Sequence, residues 1–283
     1  MFDSGFGGLT VLRALRARLP DYDYLYLGDS ARVPYGNRSH EIVYEFTREA
    51  VFELFARGCP LVVIACNTAS ARALRRIQQE DLPRLAPDRR VLGVVRPSAE
   101  ALAGLPSGAI PGITEPALVS GTVAVLATPG TVASDSYRLE LAKLAPGLTL
   151  LQQACTLWVP LVEAGETEGP GTEYFLRKYL QPLFAPGATP PSRILLGCTH
   201  YPLLLPGIRA NVPSGVEVLP QGPLVAERLA DWMRRHPEME TRLGRGGSYE
   251  VLTTDDPGWF GEFSARVLGA PCQVVKIRLN PCV

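Results

Sequence analysis

Short apolar runs alternate along the chain with longer segments whose apolar residues recur at the spacing of a helix. Residues 61–65, 123–127 and 193–196 are mainly aliphatic, which is typical of short strands buried on both faces. Apolar residues between 42 and 55 recur at roughly helical spacing, and residues 69–79 include many good helix formers. Strands that alternate with helices predict parallel βαβ units, so the expected fold class is α/β.

Two segments lack this periodicity and are predicted to be loops. Residues 104–121 are rich in turn formers, and we expect a long surface loop at or near a domain junction. Residues 165–171 predict a second loop. A chain of 283 residues is long enough for two domains of ordinary size.

A faint internal repeat relates the two halves of the chain. In the first half a small, polar turn at Asp3 is followed by a cysteine turn at Cys66. In the second half a similar turn at Thr128 is followed, at a similar separation, by a cysteine turn at Cys198. Two similar halves that face each other would bring both cysteine turns to one cleft.

Charge and cysteine content narrow the class of protein. Lys+Arg and Asp+Glu both number 28, so the balanced charge gives no reason to expect nucleic acid as a partner. No apolar run reaches the roughly 18 residues of a membrane span, and no signal peptide is recognisable, so we expect no membrane and a cytoplasmic location. Without a secretion signal the six cysteines are predicted to be reduced thiols: Cys59, Cys66, Cys155, Cys198, Cys272 and Cys282.

Cys66 lies where a predicted buried strand ends and a helix begins. Ligands of open α/β sheets bind at this end of the strands. The free N–H groups and the dipole of the helix favour an anion there, so they would lower the pKa of a thiol or hold a substrate carboxylate. The alternative is that Cys66 is a small buried hydrophobe, as free cysteines often are.

Cys198 repeats the arrangement and adds an imidazole two positions later. His200 could relay a proton or pair with a substrate charge. A zinc site would need more ligands than Cys198 and His200, and no Cys-x-x-Cys pair supplies them. A hydrolase with Cys198 as nucleophile and His200 as base is a further alternative, but it leaves Cys66 without a role.

Two carboxylates complete the candidates. Asp3 opens a glycine-rich turn and could orient a substrate ammonium or assist a thiol; alternatively it caps the following helix. Glu163 ends an apolar run, and its alternative role is that of a solvated helix carboxylate. Residues 32–36 form a tight turn with one aromatic side chain, to which the pattern alone assigns no function.

Taken together, these segments resemble the glutamate racemase family. The matching segments come in the order of the family and cover nearly the whole chain: residues 3–11 (DSGFGGLTV), 26–36 (YLGDSARVPYG), 65–69 (ACNTA), 128–131 (TPGT), 159–163 (VPLVE) and 196–202 (LGCTHYP). The resemblance implies two similar α/β domains, each a mainly parallel sheet flanked by helices, with the active site in the cleft between them. We expect the first domain to comprise residues 1–93 and 204–283, and the second residues 94–203.

The resemblance also implies the roles of individual residues. Cys66 and Cys198 would be the acid/base thiols, assisted by Asp3 and His200, with Glu163 tied to the reaction. Asp3, both cysteines and His200 would also contact the substrate, together with Ser4, Pro34, Tyr35, Gly36, Asn67, Thr68, Thr131 and Thr199. The expected substrate is glutamate, interconverted between its L and D forms to supply peptidoglycan synthesis, and the expected assembly is a homodimer.

No cofactor or metal is expected. Pyridoxal phosphate needs a lysine, and none of the three lysines lies in the matching turns. A relative that acts on aspartate or another small amino acid remains the alternative, because paired thiols are common to such enzymes. One departure concerns the N-terminus: the family has a strand before the Asp3 turn, which Met1 and Phe2 are too short to supply, so we expect the natural chain to begin upstream.

Overall fold

The computed structural model describes residues 1–280; Cys282 lies outside the described residues. The strands within that range are β1 (Phe2–Asp3), β2 (Tyr24–Gly28), β3 (Leu61–Ile64), β4 (Arg90–Gly93), β5 (Gly121–Ala127), β6 (Leu148–Ala154), β7 (Arg193–Gly197), β8 (Glu217–Pro220), β9 (Tyr249–Thr253) and β10 (Val274–Lys276).

The helices occupy the segments between the strands. They are α1 (Leu9–Arg18), α2 (His40–Ala56), α3 (Asn67–Arg72), α4 (Leu74–Arg76), α5 (Leu82–Leu85), α6 (Val95–Leu102), α7 (Pro129–Ala133), α8 (Ser136–Leu144), α9 (Trp158–Glu163), α10 (Pro170–Leu180), α11 (Leu205–Ala210), α12 (Gln221–Arg235), α13 (Pro237–Glu240) and α14 (Pro257–Leu268). Along the part of the chain that is described, no helix is long and apolar enough to cross a membrane.

The chain divides into two compact units. The first comprises residues 1–94 and the chain from Val225 onward, and the second comprises Val95–Leu224. In the first unit six strands form a sheet in the order β10-β9-β2-β1-β3-β4, and each neighbouring pair is parallel. In the second unit four parallel strands follow the order β6-β5-β7-β8. The predicted α/β fold class is confirmed.

Strand β1 forms although it is only two residues long, so the expectation that Met1 and Phe2 are too few for a strand is wrong. It lies in the middle of its sheet, where Phe2 is opposite Leu27 on one side and Ile64 on the other. The backbone N–H of Leu27 donates to the carbonyl of Met1 at 2.9 Å, and that of Ala65 donates to the carbonyl of Phe2 at 2.8 Å. Two flanking strands therefore hold a segment that could not form a strand alone.

The boundary between the units differs from the expected one. Residues 204–224, which the sequence analysis assigned to the first domain, include strand β8. Its residues Val218 and Leu219 pair with Ile194 and Leu195 of β7, which places this segment in the second sheet. The segment between α6 and β5 contains no helix or strand, as predicted for the long loop.

The faint repeat of the sequence corresponds to a repeated arrangement of strands. In the first unit β1, which carries the Asp3 turn, is paired with β3, which precedes Cys66. In the second unit β5, which precedes Thr128, is paired with β7, which precedes Cys198. In both units a polar turn and a cysteine turn thus leave the carboxyl ends of adjacent parallel strands, the usual location of ligand sites in this fold class.

Candidate active site

Cys66 is the N-cap residue of helix α3. Its backbone is extended, and its Sγ accepts a hydrogen bond from the backbone N–H of Ala69 at 3.4 Å. The hydroxyl of Ser70 donates to the carbonyl of Ile64 at 2.9 Å and so fastens the helix to the preceding strand. The thiol is largely buried and lies against the free N–H groups of a helix, a location that favours a thiolate.

Asp3 lies at the end of the adjacent strand and is fully buried. Its Oδ2 accepts a hydrogen bond from the backbone N–H of Gly5 at 3.1 Å. The N-cap residue of the following helix, α1, is Gly8 and not Asp3. A Cβ at Gly8 would lie 2.5 Å from the Cβ of Asp3, so only glycine lets the chain pass this close to the carboxylate.

Tyr26 is a buried residue whose pKa is affected by both Asp3 and Cys66. Its hydroxyl donates to the carbonyl of Gly5 at 2.7 Å, inside the turn that follows Asp3. Burial raises the pKa of Tyr26 well above its usual value, and negative charge on Asp3 and Cys66 raises it further. The hydroxyl therefore stays protonated, close to both groups.

The remaining predicted residues of the first unit surround this edge of the sheet. Tyr35 is buried in the same apolar cluster as Phe2 and Cys66, and its hydroxyl donates to Asp29. Of its two neighbours, Pro34 is exposed and follows a cis peptide bond, and Gly36 is half-buried. The other predicted contacts range from half-buried to buried: Ser4, Asn67 and Thr68.

In the second unit Cys198, His200 and Glu163 form a connected set. The Sγ of Cys198 lies 3.8 Å from Nδ1 of His200, and Nε2 of His200 lies 3.3 Å from Oε1 of Glu163. Burial alone lowers the pKa of His200, but negative charge on Cys198 and Glu163 outweighs it and raises the pKa to about 10. His200 is therefore held as an imidazolium beside the Sγ of Cys198 at neutral pH.

Glu163 is not the solvated helix carboxylate of the alternative interpretation. It is the last residue of α9, and its side chain is 29% exposed. Its Oε1 lies within ion-pair distance of the buried ring of His200, so the charge of Glu163 acts on the imidazole. A carboxylate that orients a histidine beside a reactive group is a recurring arrangement in enzymes.

The threonines of the second unit lie at the same edge of its sheet. Thr128 caps α7: its Oγ1 accepts from the backbone N–H of Thr131 at 3.4 Å, and the two hydroxyls are 3.1 Å apart. Thr131 and Thr199 are both buried. Because β5 and β7 are paired, the segments that carry these hydroxyls leave the carboxyl ends of adjacent strands. Among the described residues, no three or more His, Cys, Asp and Glu side chains are grouped as a metal site.

Known proteins match this chain over most of its length. A family model described as Asp/Glu/Hydantoin racemase matches residues 10–229. A glutamate racemase of Ruegeria pomeroyi is 44% identical over 258 residues, which is 91% of each chain. A glutamate racemase of Roseobacter denitrificans is 44% identical over 283 residues, covering 99% of this chain and 97% of the relative.

Solved structures agree with the sequence matches. Glutamate racemase from Francisella tularensis, in complex with D-glutamate, superposes with a TM-score of 0.82 at 27% identity, covering 99% of this chain and 96% of that one. The chain belongs to the Asp/Glu/Hydantoin racemase family. The resemblance inferred from the sequence is confirmed, and a racemase is an isomerase.

Several buried polar groups of this racemase fold were not singled out by the sequence. Asp29 binds Tyr35, although its segment was part of the family resemblance. Gln221 follows β8 directly, and its Nε2 donates to Ser98 at 2.8 Å and to Tyr137 at 3.1 Å. The position of Gln221 directly after a strand is a sequence signal that could have identified it as a buried polar residue. Tyr137 has no such signal, because its partner is distant in sequence.

Cys155 directly follows β6, the strand on the other side of β5, and is the second thiol of this unit. It is fully buried, and its Sγ lies 3.7 Å from the carbonyl of Gln153. Burial raises the pKa of Cys155 well above its usual value, and charge on Cys198 adds to this rise. Cys155 is therefore held as a neutral thiol. The five described cysteines are all free, as predicted for reduced thiols.

Proposed function

We propose that this protein interconverts L- and D-glutamate by moving the α-proton between Cys66 and Cys198, without a cofactor. Family membership supports racemisation, and the relatives at 44% identity are named glutamate racemases. The observation that carries the mechanism is the repeated placement of a largely buried cysteine at the carboxyl end of a strand in each unit.

The proton transfer balances with two thiols and no other reactant. A Cys198 thiolate takes the α-proton of L-glutamate: the S–H bond forms, the C–H bond breaks, and the electron pair stays on the α-carbon and its carboxylate. The thiol of Cys66 then delivers its proton to the opposite face of the α-carbon, giving D-glutamate and a Cys66 thiolate. The reverse reaction starts from that thiolate, and the resemblance assigns the two faces.

The α-proton is very weakly acidic, so the site must stabilise the developing carbanion. Preorganised donors around the substrate carboxylate serve this purpose best where water is excluded. We assign this binding to the donors among the residues predicted from the resemblance, which are the hydroxyls, amides and backbone N–H groups of Ser4, Tyr35, Gly36, Asn67, Thr68, Thr131 and Thr199, and Pro34 shapes the turn that carries Tyr35. We assign to Asp3, whose buried carboxylate accepts from Gly5, the pairing with the substrate ammonium or the assistance of Cys66.

One observation favours a second candidate, a hydrolase. Cys198, His200 and Glu163 have the connectivity of a nucleophile, a base and an orienting carboxylate. That interpretation gives Cys66 no role, although it sits at the corresponding position of the first unit. The comparisons with known racemases also favour racemisation.

The biological role follows from the product. We propose that D-glutamate made in the cytoplasm supplies peptidoglycan synthesis, and that the protein acts as a homodimer. The family resemblance supports both statements. Glutamate is preferred to aspartate as substrate because the relatives that align over most of the chain are named glutamate racemases.

The proposal is tested by incubating the protein with L-glutamate and following optical rotation. We expect the signal to decay to zero without added cofactor, at a rate unchanged by EDTA, and aspartate to be a much poorer substrate. Inhibition by EDTA that zinc reverses would contradict the cofactor-free reaction. Comparable kcat/KM for aspartate would contradict the specificity.

The direction of each thiol is tested by α-proton exchange in deuterated water. Cys66→Ser and Cys198→Ser should both lose racemisation. A serine hydroxyl is a much weaker acid than a thiol, so it is rarely ionised and cannot replace the thiolate as the base. Cys66→Ser should keep residual exchange on L-glutamate through Cys198, and Cys198→Ser on D-glutamate only. Cys155→Ser is the matched control and should still racemise, so loss of turnover in a folded Cys155→Ser variant would refute the assignment of the pair.

A further inference from the structure

The first unit contains a buried carboxylate that the proposed mechanism does not use. Asp29 follows strand β2 directly and is fully buried. Its Oδ2 accepts from the hydroxyl of Tyr35 at 2.5 Å and from Nε of Arg32 at 2.7 Å. Its Oδ1 accepts from the hydroxyl of Thr254 at 2.8 Å. Both carboxylate oxygens are thus satisfied, and the charge is paired, as burial requires.

These contacts join three of the turns at the carboxyl edge of the sheet. The backbone N–H of Asp29 donates to the carbonyl of Asp3 at 3.1 Å, which ties it to the turn after β1. Thr254 belongs to the turn after β9, and its hydroxyl also accepts from the backbone N–H of Ala31. Tyr35 lies in the third of these turns, that of residues 34–36. The carboxylate of Asp29 therefore joins the turn after β2 to the turns of Tyr35 and Thr254, and its backbone joins the same turn to β1.

Arg32 is held as firmly as the carboxylate that it neutralises. Its guanidinium lies 4.0 Å from the centre of the Phe46 ring and forms a second ion pair with Glu49. Burial and the charge of Asp29 raise the pKa of Tyr35 well above its usual value, so the hydroxyl remains a donor at any physiological pH. Every partner of Asp29 is consequently fixed in one protonation state and one orientation.

The chain offers a matched comparison in the same unit. Asp81 is also buried, and it also binds one tyrosine and one arginine, Tyr44 at 2.8 Å and Arg48 at 2.9 Å. It lies in the helical segment that precedes β4, away from the residues that follow the strands' carboxyl ends. The two clusters share a tyrosine and an arginine, but only that of Asp29 holds a tyrosine from a predicted substrate-binding turn.

We propose that Asp29 is a positioning residue for substrate binding, which acts by holding Tyr35 and the turn of Pro34, Tyr35 and Gly36 in the geometry that receives glutamate. This inference rests on the proposed function, because it assigns that turn to the substrate. A carboxylate suits the task better than a neutral acceptor, since hydrogen bonds to a charged group are shorter and stronger. The contacts are equally present before and during proton transfer, so their loss should weaken binding and leave the chemical step intact.

The test compares Asp29→Asn, Tyr35→Phe, the double variant and Asp81→Asn in the full-length protein with L-glutamate. We expect Asp29→Asn and Tyr35→Phe each to raise KM about tenfold, the size of effect typical for a lost hydrogen bond to a charged group, with kcat nearly unchanged. The double variant should be no worse than the worse single one, because both changes remove the same contact. Asp81→Asn should lower the melting temperature and leave KM at the wild-type value.

The outcomes separate the inference from the proposed function. A wild-type protein without glutamate racemisation would overturn the proposed function and the inference with it. An active wild type, with KM unchanged in Asp29→Asn or raised equally by Asp81→Asn, would overturn the positioning role alone. Additive effects in the double variant would do the same. Should Asp29→Asn fail to fold, Thr254→Val decides, because it removes a donor to the carboxylate while keeping the ion pair with Arg32 and the hydroxyl of Tyr35. It should raise KM, and an unchanged KM would overturn the positioning role.

Discussion

The charge of Glu163 should set the protonation of His200. Glu163→Gln keeps the length of the side chain and an oxygen that can accept from Nε2 of His200, while removing the negative charge. That charge is one of the contacts that raise the pKa of His200 to about 10. With the amide in place, the imidazolium loses part of its stabilisation and its pKa falls.

The size of the fall follows from the distance between the two groups. At the 3.3 Å that separates Nε2 of His200 from Oε1 of Glu163, the pair interacts by about 1.3 kcal/mol in water and about 5 kcal/mol at an effective dielectric constant of about 20. One pKa unit corresponds to about 1.4 kcal/mol. The carboxylate is 29% exposed, so the lower part of this range applies. We expect the pKa of His200 to fall by about one to two units.

Imidazole resonances in NMR spectra report this pKa directly. The chain has only three histidines, and comparison with His200→Asn identifies the resonances of His200. The alkaline limb of the kcat/KM profile should move to lower pH by the same amount, since the thiolate of Cys198 is effective only beside the imidazolium. L- and D-glutamate have equal free energies, so kcat/KM must be equal in the two directions at every pH, which provides an internal control.

Stability supplies a second measure with a definite sign. The folded pKa of His200 lies above that of an unfolded histidine, about 6.5. Its contribution to stability is therefore complete below about pH 6.5 and is lost as the pH rises through the folded value. Glu163→Gln should thus be less stable than the wild type at neutral pH, and the difference should shrink above about pH 10.

The control is Glu166→Gln, which removes an exposed carboxylate from the loop that follows α9. It should leave both the titration of His200 and the rate profile unchanged. The reasoning is refuted if His200 titrates near 6.5 in the wild type, or if Glu163→Gln leaves its pKa where it was. An equal shift in Glu166→Gln would show that long-range charge, and not the contact with Glu163, sets the pKa.

Two further substitutions test the packing around the site. Gly8→Ala would place a methyl group 2.5 Å from the Cβ of Asp3, so it should destabilise the fold by about 1–3 kcal/mol and lower activity, whereas Gly261→Ala, whose nearest neighbour is 3.7 Å away, should cost nothing measurable in thermal melts. Gln221→Leu removes the hydrogen bonds to Ser98 and Tyr137 and should cost about 1–3 kcal/mol; an unchanged melting temperature would show that these bonds contribute little.

Local patterns predicted three of the described strands, β3, β5 and β7, and they failed where neighbouring strands decide. Residues 61–65 and 123–127 are apolar enough to indicate strands on their own, and both lie in strands or directly adjoin them. Strand β1 could not be predicted in the same way, because its two residues are held by hydrogen bonds to β2 and β3. The unit boundary also depended on pairing, since only contact with β7 assigns β8 to the second sheet.

The residues of the candidate site also divide into those that a local pattern predicts and those that only contacts between elements reveal. Cys66 and Cys198 follow recognisable strands, so their positions at the sheet edge could be inferred from sequence alone. The contact between His200 and Glu163 joins residues from different elements, and residue pattern alone suggested a solvated carboxylate for Glu163. Asp29 is the clearest case. Its proposed role depends on its contacts with Tyr35, Arg32 and Thr254 together, and no local sequence pattern indicates that the distant Thr254 donates a hydrogen bond to its carboxylate.

The two thiols are supported by different physical means, which bears on how the proposed reaction is divided between them. Cys66 receives a backbone N–H from the start of α3 and follows the strand paired with that of Asp3, whereas Cys198 lies beside an imidazolium paired with Glu163. Backbone donors do not titrate, but the imidazolium does. The pH dependence at high pH should therefore arise in the second unit, and substitutions at Asp3 or Gly8 should change rates without moving that limb. A symmetric pair of thiols would not show this division, and the titration of His200 distinguishes the two cases.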